Sequence, residues 1–128
     1  MDKTVFSMIV PEILSAMEKE SEKSDGEPFD CIIVGIETHI CVLQTSLDLL
    51  SMGHRVWVVQ DGVSSCNEVE RGVALARLRQ EGVKVTTSES LLYEIMGDAA
   101  DEAFRDVAKI VKETKEDTKA AMQVLCKV

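Results

Sequence analysis

The sequence is poor in aromatic residues and histidine and has no long apolar run. Aromatic residues make up 4% of its 128 positions, and histidine occurs twice. Its apolar stretches fall short of the roughly 18 to 20 residues needed to cross a bilayer, so membrane association is not predicted. The N-terminus also lacks the basic-then-apolar order of a secretory signal, so we expect a cytoplasmic protein.

Basic residues are outnumbered by acidic ones. The chain has 14 Lys and Arg against 23 Asp and Glu, which gives a formal net charge of −9. Proteins that bind the phosphate backbone need a basic surface that displaces counterions. Nucleic acid is therefore not an expected partner.

The motifs of metal and cofactor sites are missing as well. The four cysteines form no CxxC pair, and the two histidines complete no familiar zinc-ligand spacing with them. Neither of the nucleotide-binding motifs GxGxxG and GxxxxGK[ST] occurs, so the sequence gives little support for a nucleotide-dependent enzyme. We expect no metal, no cofactor and reduced thiols.

What the sequence does contain is three strand-to-helix steps. Residues 29–36 form an almost unbroken apolar run, which predicts a central parallel strand covered on both faces. Residues 55–60 and 83–86 predict two further strands, and a helical period follows each strand, beginning at Thr38 for the first. Such βα units run parallel with right-handed crossovers. The predicted fold class is α/β, a parallel sheet flanked by helices, in one domain over residues 1–128.

The helix ends are predicted from capping patterns. A short helix can begin at Pro11, and Ser65 with Glu68 has capping-box spacing ahead of the helix after the second strand. Asp98 is a candidate cap for an amphipathic C-terminal helix. Residues 116–128 are left as either a further helical turn or a loose tail.

Cys41 is the candidate reactive residue. It lies in the first turn of the helix that follows the buried strand, where unpaired N–H groups and the helix dipole favour a thiolate. Buried cysteines are common, so position alone leaves an inert core residue as the alternative. His39, two residues earlier on the same helix, does not face Cys41 and is expected to face solvent or line a pocket.

The candidate cysteine lies in the segment Val34-Gly35-Ile36-Glu37-Thr38-His39-Ile40-Cys41-Val42, which is followed by Gln44-Thr45, Leu47, Gly53, Asp61, Ser64-Ser65, Ala74-Leu75 and Thr86-Thr87-Ser88-Glu89. This set of residues resembles the nucleophile segment and the following part of the isochorismatase-like cysteine hydrolases. The resemblance covers most of residues 3–115, and among these hydrolases the sequence looks most like the eukaryotic isochorismatase domain-containing proteins.

This resemblance implies a Rossmann-like three-layer fold and a hydrolase that acts on a small amide, ureido compound or enol ether. It implies Cys41 as the nucleophile, and it places Lys3 of Lys3-Thr4-Val5-Phe6-Ser7-Met8 at the catalytic Lys position. It also implies a non-proline cis peptide between Ile36 and Glu37, with the backbone N–H groups of Glu37 and Cys41 as oxyanion-hole donors. From spacing alone, a mobile terminal Lys3 and an ordinary trans turn are the alternatives.

The resemblance also shows what is missing. The family's catalytic Asp ends an apolar strand ahead of the Lys, and no such stretch precedes Lys3. Asp2, Asp30 and Asp61 are not convincing replacements. Loss of a positioned acid/base typically removes about 10²–10⁴ of rate. The alternative function is therefore a catalytically inactive scaffold or interaction protein with the same fold.

The missing strand has a consequence for assembly. In the family it lies beside residues 29–36, so in this chain those residues are expected to form an exposed apolar edge. We therefore expect an N-terminally incomplete domain of about three strands that forms a homo-oligomer through this edge. The substrate itself is not predictable from the sequence.

Overall fold

Three parallel strands and their connecting helices make up the fold. The computed structural model describes residues 3–126. The elements in chain order are α1 (Pro11–Lys23), β1 (Asp30–Gly35), a π-helical turn (Thr38–Val42), α2 (Leu43–Ser51), β2 (Arg55–Val63), α3 (Glu68–Gln80), β3 (Lys84–Thr86), α4 (Ser88–Met96), α5 (Phe104–Glu113) and α6 (Lys115–Leu125).

The sheet has the order β1-β2-β3, with both neighbouring pairs parallel. The predicted α/β class with a three-stranded parallel sheet is thus confirmed. The prediction that β1 is central and covered on both faces is wrong. Within residues 3–126 no strand pairs with its outer side, and its side chains Ile32 and Val34 are 50% and 61% exposed. β1 is therefore an edge strand with exposed apolar side chains, as expected from the missing neighbouring strand.

The core forms around β2 because β2 is the central strand. Its Val56 and Val58 are buried and pack with α3, whose Leu75 and Leu78 are also buried. Leu78 is fully inaccessible to solvent. The β-branched run predicted as a strand thus supplies one side of the core, and the apolar stripe of α3 supplies another.

β2 contains an irregularity near its carboxyl end. Ile33 of β1 pairs with Val58, whereas Gly35, two residues later, pairs with Val63. The extra residues of β2 bulge out of the ladder, and the buried Arg71 of α3 donates hydrogen bonds to the carbonyl groups of Gln60 and Val63. The guanidinium therefore satisfies carbonyls in the irregular part of the strand.

Two helix ends differ from the sequence prediction. Asn67, not Ser65, caps α3, because its side chain directly precedes the first helical residue and accepts from the Val69 N–H at 3.2 Å. Asp98 does not cap α5. Its carboxylate accepts from the N–H of Ala100, two residues on, and so closes a tight turn ahead of the helix.

The C-terminal helices lie at the surface. Residues 115–125 form α6, so of the two alternatives for this segment the structure has the helix. Neither α5 nor α6 contains a buried residue. In the part of the chain that the structure describes, no helix has the length and apolar character to cross a membrane.

The core assignment predicts unequal effects of two truncations on α3. Leu78→Ala should lower the free energy of unfolding by about 2–5 kcal/mol, because it leaves a cavity against β2. Val73→Ala on the same helix removes a side chain that is 62% exposed and should change it by less than about 0.5 kcal/mol. Urea unfolding of both variants checks this, and equal losses would contradict the core described above.

Candidate active site at the carboxyl edge of the sheet

The carboxyl ends of β1 and β2 are joined by hydrogen bonds. The backbone N–H and the hydroxyl of Thr38 both donate to the Ser64 carbonyl, at 2.8 and 2.9 Å, and the Ser64 N–H donates to the Gly35 carbonyl at 3.1 Å. Thr38 is fully buried. These bonds fix the short loop between β1 and the π-helical turn, and with it the start of the segment that carries Cys41.

The loop makes its turn through Glu37. This residue has left-handed backbone angles, φ 57° and ψ 65°, which are uncommon for residues other than glycine. Residues 3–126 contain no cis peptide bond, so the predicted cis bond between Ile36 and Glu37 is wrong. The left-handed backbone of Glu37 reverses the chain with every bond trans, and the Thr38 hydrogen bonds hold that turn.

Cys41 lies in the π-helical turn Thr38–Val42. The sequence predicted an α-helix from Thr38, but the first turn is wider. The Leu43 N–H donates to the carbonyls of Thr38 and Ile40, and the α-helix begins only there. Single π-helical turns are frequent at functional sites. Cys41 itself is partly exposed and lines a pocket of about 390 Å³ between this turn and β1.

Lys3 lines the same pocket. Its ammonium group donates to the carbonyls of Val5 and Phe6, both at 2.9 Å, so the lysine stem folds back over its own loop. The Met8 N–H donates to the hydroxyl of Thr45 on α2 at 2.9 Å, which attaches this N-terminal segment beside Cys41. The structure thus brings Lys3 and Cys41 to one pocket, and their catalytic roles remain predictions.

Two side-chain contacts at this site were not predicted from the sequence. Thr45 was named only among the residues that match the family. In the structure its buried hydroxyl accepts the Met8 N–H and so attaches the N-terminal segment that carries Lys3. Glu37 was predicted only as a backbone donor. Its carboxylate also accepts from the Cys66 N–H at 3.3 Å, across the gap between two loops. Neither contact has a local sequence signal, because each joins segments far apart in the chain.

A polar cluster surrounds the Glu37 carboxylate. The nearby Cys66 thiol and N–H, with a smaller contribution from His39, hold the pKa of Glu37 below its ordinary value of 4.5. His39 Nδ1 lies 3.5 Å from a Glu37 oxygen and 3.1 Å from the Ser65 hydroxyl. His39 is therefore engaged in this cluster, whereas the expectation was that it faces solvent or lines a pocket.

The environments of the other three thiols raise their pKa values. Burial raises the pKa of Cys31 and of Cys126, and the hydrogen bond to the Glu37 carboxylate raises that of Cys66. All four cysteines lie within the described residues, and each is a free thiol. A raised pKa lowers the thiolate fraction at neutral pH and with it the rate of attack.

The pocket has no acidic lining residue among residues 3–126. Asp30 pairs with Arg55, and Asp61 accepts from the Ser88 N–H at 2.8 Å, so both carboxylates have partners elsewhere. Asp2 lies outside the described residues. Within the described part of the chain, no cluster of three or more His, Cys, Asp or Glu could hold a metal ion.

The fold and the site define a parallel α/β protein with a cysteine at the carboxyl edge of its sheet. Residues 1–90 match the family model described as "Isochorismatase domain", and the chain belongs to the isochorismatase family. It is 41% identical over 116 residues to the isochorismatase domain-containing protein 2 of Xenopus laevis, an alignment that covers 91% of this chain and 54% of that protein.

Solved structures agree with this assignment. The MAR1 ribonuclease of Caenorhabditis elegans superposes with a TM-score of 0.72 at 38% identity, covering 86% of this chain and 53% of that one. A nicotinamidase of Staphylococcus aureus superposes with a TM-score of 0.56 at 29% identity, covering 67% and 51%. The chain spans about half the length of the curated relatives it matches.

The Glu37 cluster predicts a pH-dependent contribution to stability. Because folding lowers the pKa of Glu37, its ionised carboxylate stabilises the folded state above pH 4.5, and this is lost as the pH falls through the lower, folded-state pKa. Glu37→Gln should therefore be less stable than wild type near neutral pH, with the difference shrinking in acid. Denaturant unfolding across this pH range measures it. The exposed Glu22→Gln is the control, and an equal effect of both variants would contradict the cluster.

Proposed function

We propose that this chain is an isochorismatase-family hydrolase domain that uses Cys41 as its nucleophile on a small amide, ureido compound or enol ether. The observation that carries the proposal is the single pocket lined by Cys41 and Lys3 at the carboxyl edge of the sheet. The name of the Staphylococcus aureus neighbour, a nicotinamidase, favours an amide within this class. The net charge of −9 weighs against a nucleic acid substrate, and we propose no cofactor.

The proposed reaction has two steps. The Cys41 thiolate attacks the carbonyl carbon, and the negative charge that develops on oxygen is stabilised by the Lys3 ammonium and by the backbone N–H groups of Glu37 and Cys41. The C–N bond then breaks, and the amine leaves with a proton to give a thioester. Water hydrolyses this thioester to the acid and restores the thiol.

Proton transfer limits the rate in this proposal. The leaving amine needs a proton and the attacking water needs a base, but the pocket lining within residues 3–126 contains no carboxylate. Without a positioned acid/base, a rate about 10²–10⁴ lower is expected. This observation supports the second candidate function, a catalytically silent scaffold or interaction protein of the same family.

Selective alkylation tests the nucleophile. Iodoacetamide labelling is followed across a range of pH values by peptide mass spectrometry, and Cys41 should be modified first. The hydrogen bond to Glu37 raises the pKa of Cys66, and burial raises the pKa of Cys31, so both should react more slowly. Slow labelling of Cys31 serves as the internal check that the protein is folded. If Cys41 reacts no faster than Cys66 while Cys31 stays protected, the scaffold function is favoured.

Hydrolysis of small amides tests the activity. Ammonia release from nicotinamide and from simple ureido compounds should be slow in the wild type and absent in Cys41→Ser. The matched control is Cys66→Ser, which changes a thiol outside the pocket lining and should retain the wild-type rate. Equal activity of the two variants would exclude Cys41 as the nucleophile.

We further propose a homo-oligomer formed through the outer edge of β1. Residues 31–36 carry no charge, and Ile32, Val34 and Ile36 expose 50%, 61% and 76% of their surface. Antiparallel pairing with a second copy across a two-fold axis would set the same β-branched side chains opposite one another.

The free thiols suit a reducing compartment, which supports the proposed cytoplasmic location.

A lysine on the edge tests this assembly. Val34→Lys places a charge where the second copy would pair and should give a monomer in sedimentation experiments, whereas Val69→Lys, on an exposed position of α3, should not. Added salt should favour the wild-type oligomer, because it screens repulsion between chains of charge −9. A wild type that sediments as a monomer at all salt concentrations would overturn the proposal.

A further inference from the structure

A second cavity lies between the two C-terminal helices, far along the chain from Cys41. The α5–α6 groove has a volume of about 690 Å³ and is lined by residues three or four apart on each helix, which places them on facing sides. Its apolar residues include Ala108 and Val111 of α5 and Met122 of α6. Small-ligand sites commonly have volumes of about 300 to 1,000 Å³.

The apolar part of the α5–α6 groove stays in contact with solvent. Val111 and Ala108 are only partly buried, and Met122 is 36% exposed. Because neither α5 nor α6 contains a fully buried residue, the inner faces of the two helices are incompletely covered. An aliphatic chain laid against these side chains would remove apolar surface from water, which favours binding.

Three lysines line the same groove. Lys112 lies near the end of α5, and Lys115 and Lys119 lie four residues apart on α6, so the like charges of Lys115 and Lys119 repel. Within the described residues, none of the three has a carboxylate within 4.0 Å, whereas the neighbouring Lys109 pairs with Glu113 at 3.9 Å. Glu89 also lines the groove but lies outside that distance.

We propose that the α5–α6 groove binds a small anionic amphiphile, a carboxylate that carries an aliphatic chain. The lysines give a locally positive rim in a chain of net charge −9, and the apolar residues lie beside them. A carboxylate would relieve the repulsion between Lys115 and Lys119, with Lys112 beside them in the lining, while its chain covers Val111 and Met122. This site is separate from the Cys41 pocket and does not depend on the proposed hydrolase function.

Decanoate is a suitable probe, and methionine methyl groups locate where it binds. In protein labelled with ¹³C at the methionine methyls, decanoate should shift the Met122 signal. Met8 and Met17, which line an apolar pocket beside α1, should not respond. Acetate, which lacks the chain, and decanol, which lacks the charge, should bind more weakly than decanoate.

Charge variants test the role of the rim. The Lys115→Gln, Lys119→Gln double variant should bind decanoate about tenfold more weakly, because it removes both positive charges that α6 contributes to the rim. Lys109→Gln, on α5 but outside the groove lining, should bind like wild type. Unchanged methionine spectra without ligand confirm that the variants fold.

Other outcomes would overturn the proposal. Equal affinity of the double variant and wild type would mean that the lysines do not recognise the ligand. Decanoate shifts at Met8 or Met17 without a shift at Met122 would place binding in the other pocket. A response of Met122 to an acidic peptide but not to decanoate would identify the groove as a protein-docking surface instead.

Discussion

Three hydrogen bonds among Thr38, Ser64 and Gly35 join the carboxyl ends of β1 and β2, and the geometry of the candidate site depends on them. They hold the left-handed turn at Glu37 and thereby set where the π-helical turn begins. Among the residues that the structure describes, β1 pairs with β2 alone, so these bonds also anchor the end of an edge strand. The position of Cys41 is thus determined by contacts between loops.

Much of the fold could be predicted because the signals are local. The apolar run before Gly35 and the valine-rich run of β2 each specify a strand, and Gly53 and Gly97 end helices where left-handed backbone is required. The order of the strands in the sheet, in contrast, has no local signal in the sequence. Whether the first strand is central depends on what pairs with it, and residues 29–36 look the same in either position.

The candidate site was predictable in its residues but not in its geometry. Family similarity identified Cys41 and Lys3, and the structure brings them to one pocket. The π-helical turn, the trans bond before Glu37 and the contact between Glu37 and Cys66 all arise from packing between distant segments. No spacing within a single helix or strand encodes contacts of that kind, which explains why they were missed.

The bulge of β2 is held by the guanidinium of Arg71, whereas the cluster near Cys66 is held by the carboxylate of Glu37. The guanidinium of Arg71 donates to the backbone carbonyls of Gln60 and Val63, which are not titratable groups. The Glu37 carboxylate, in contrast, loses its charge in acid. Acidification should therefore weaken the contact between Glu37 and Cys66 and leave the contacts of Arg71 with the bulge of β2 in place.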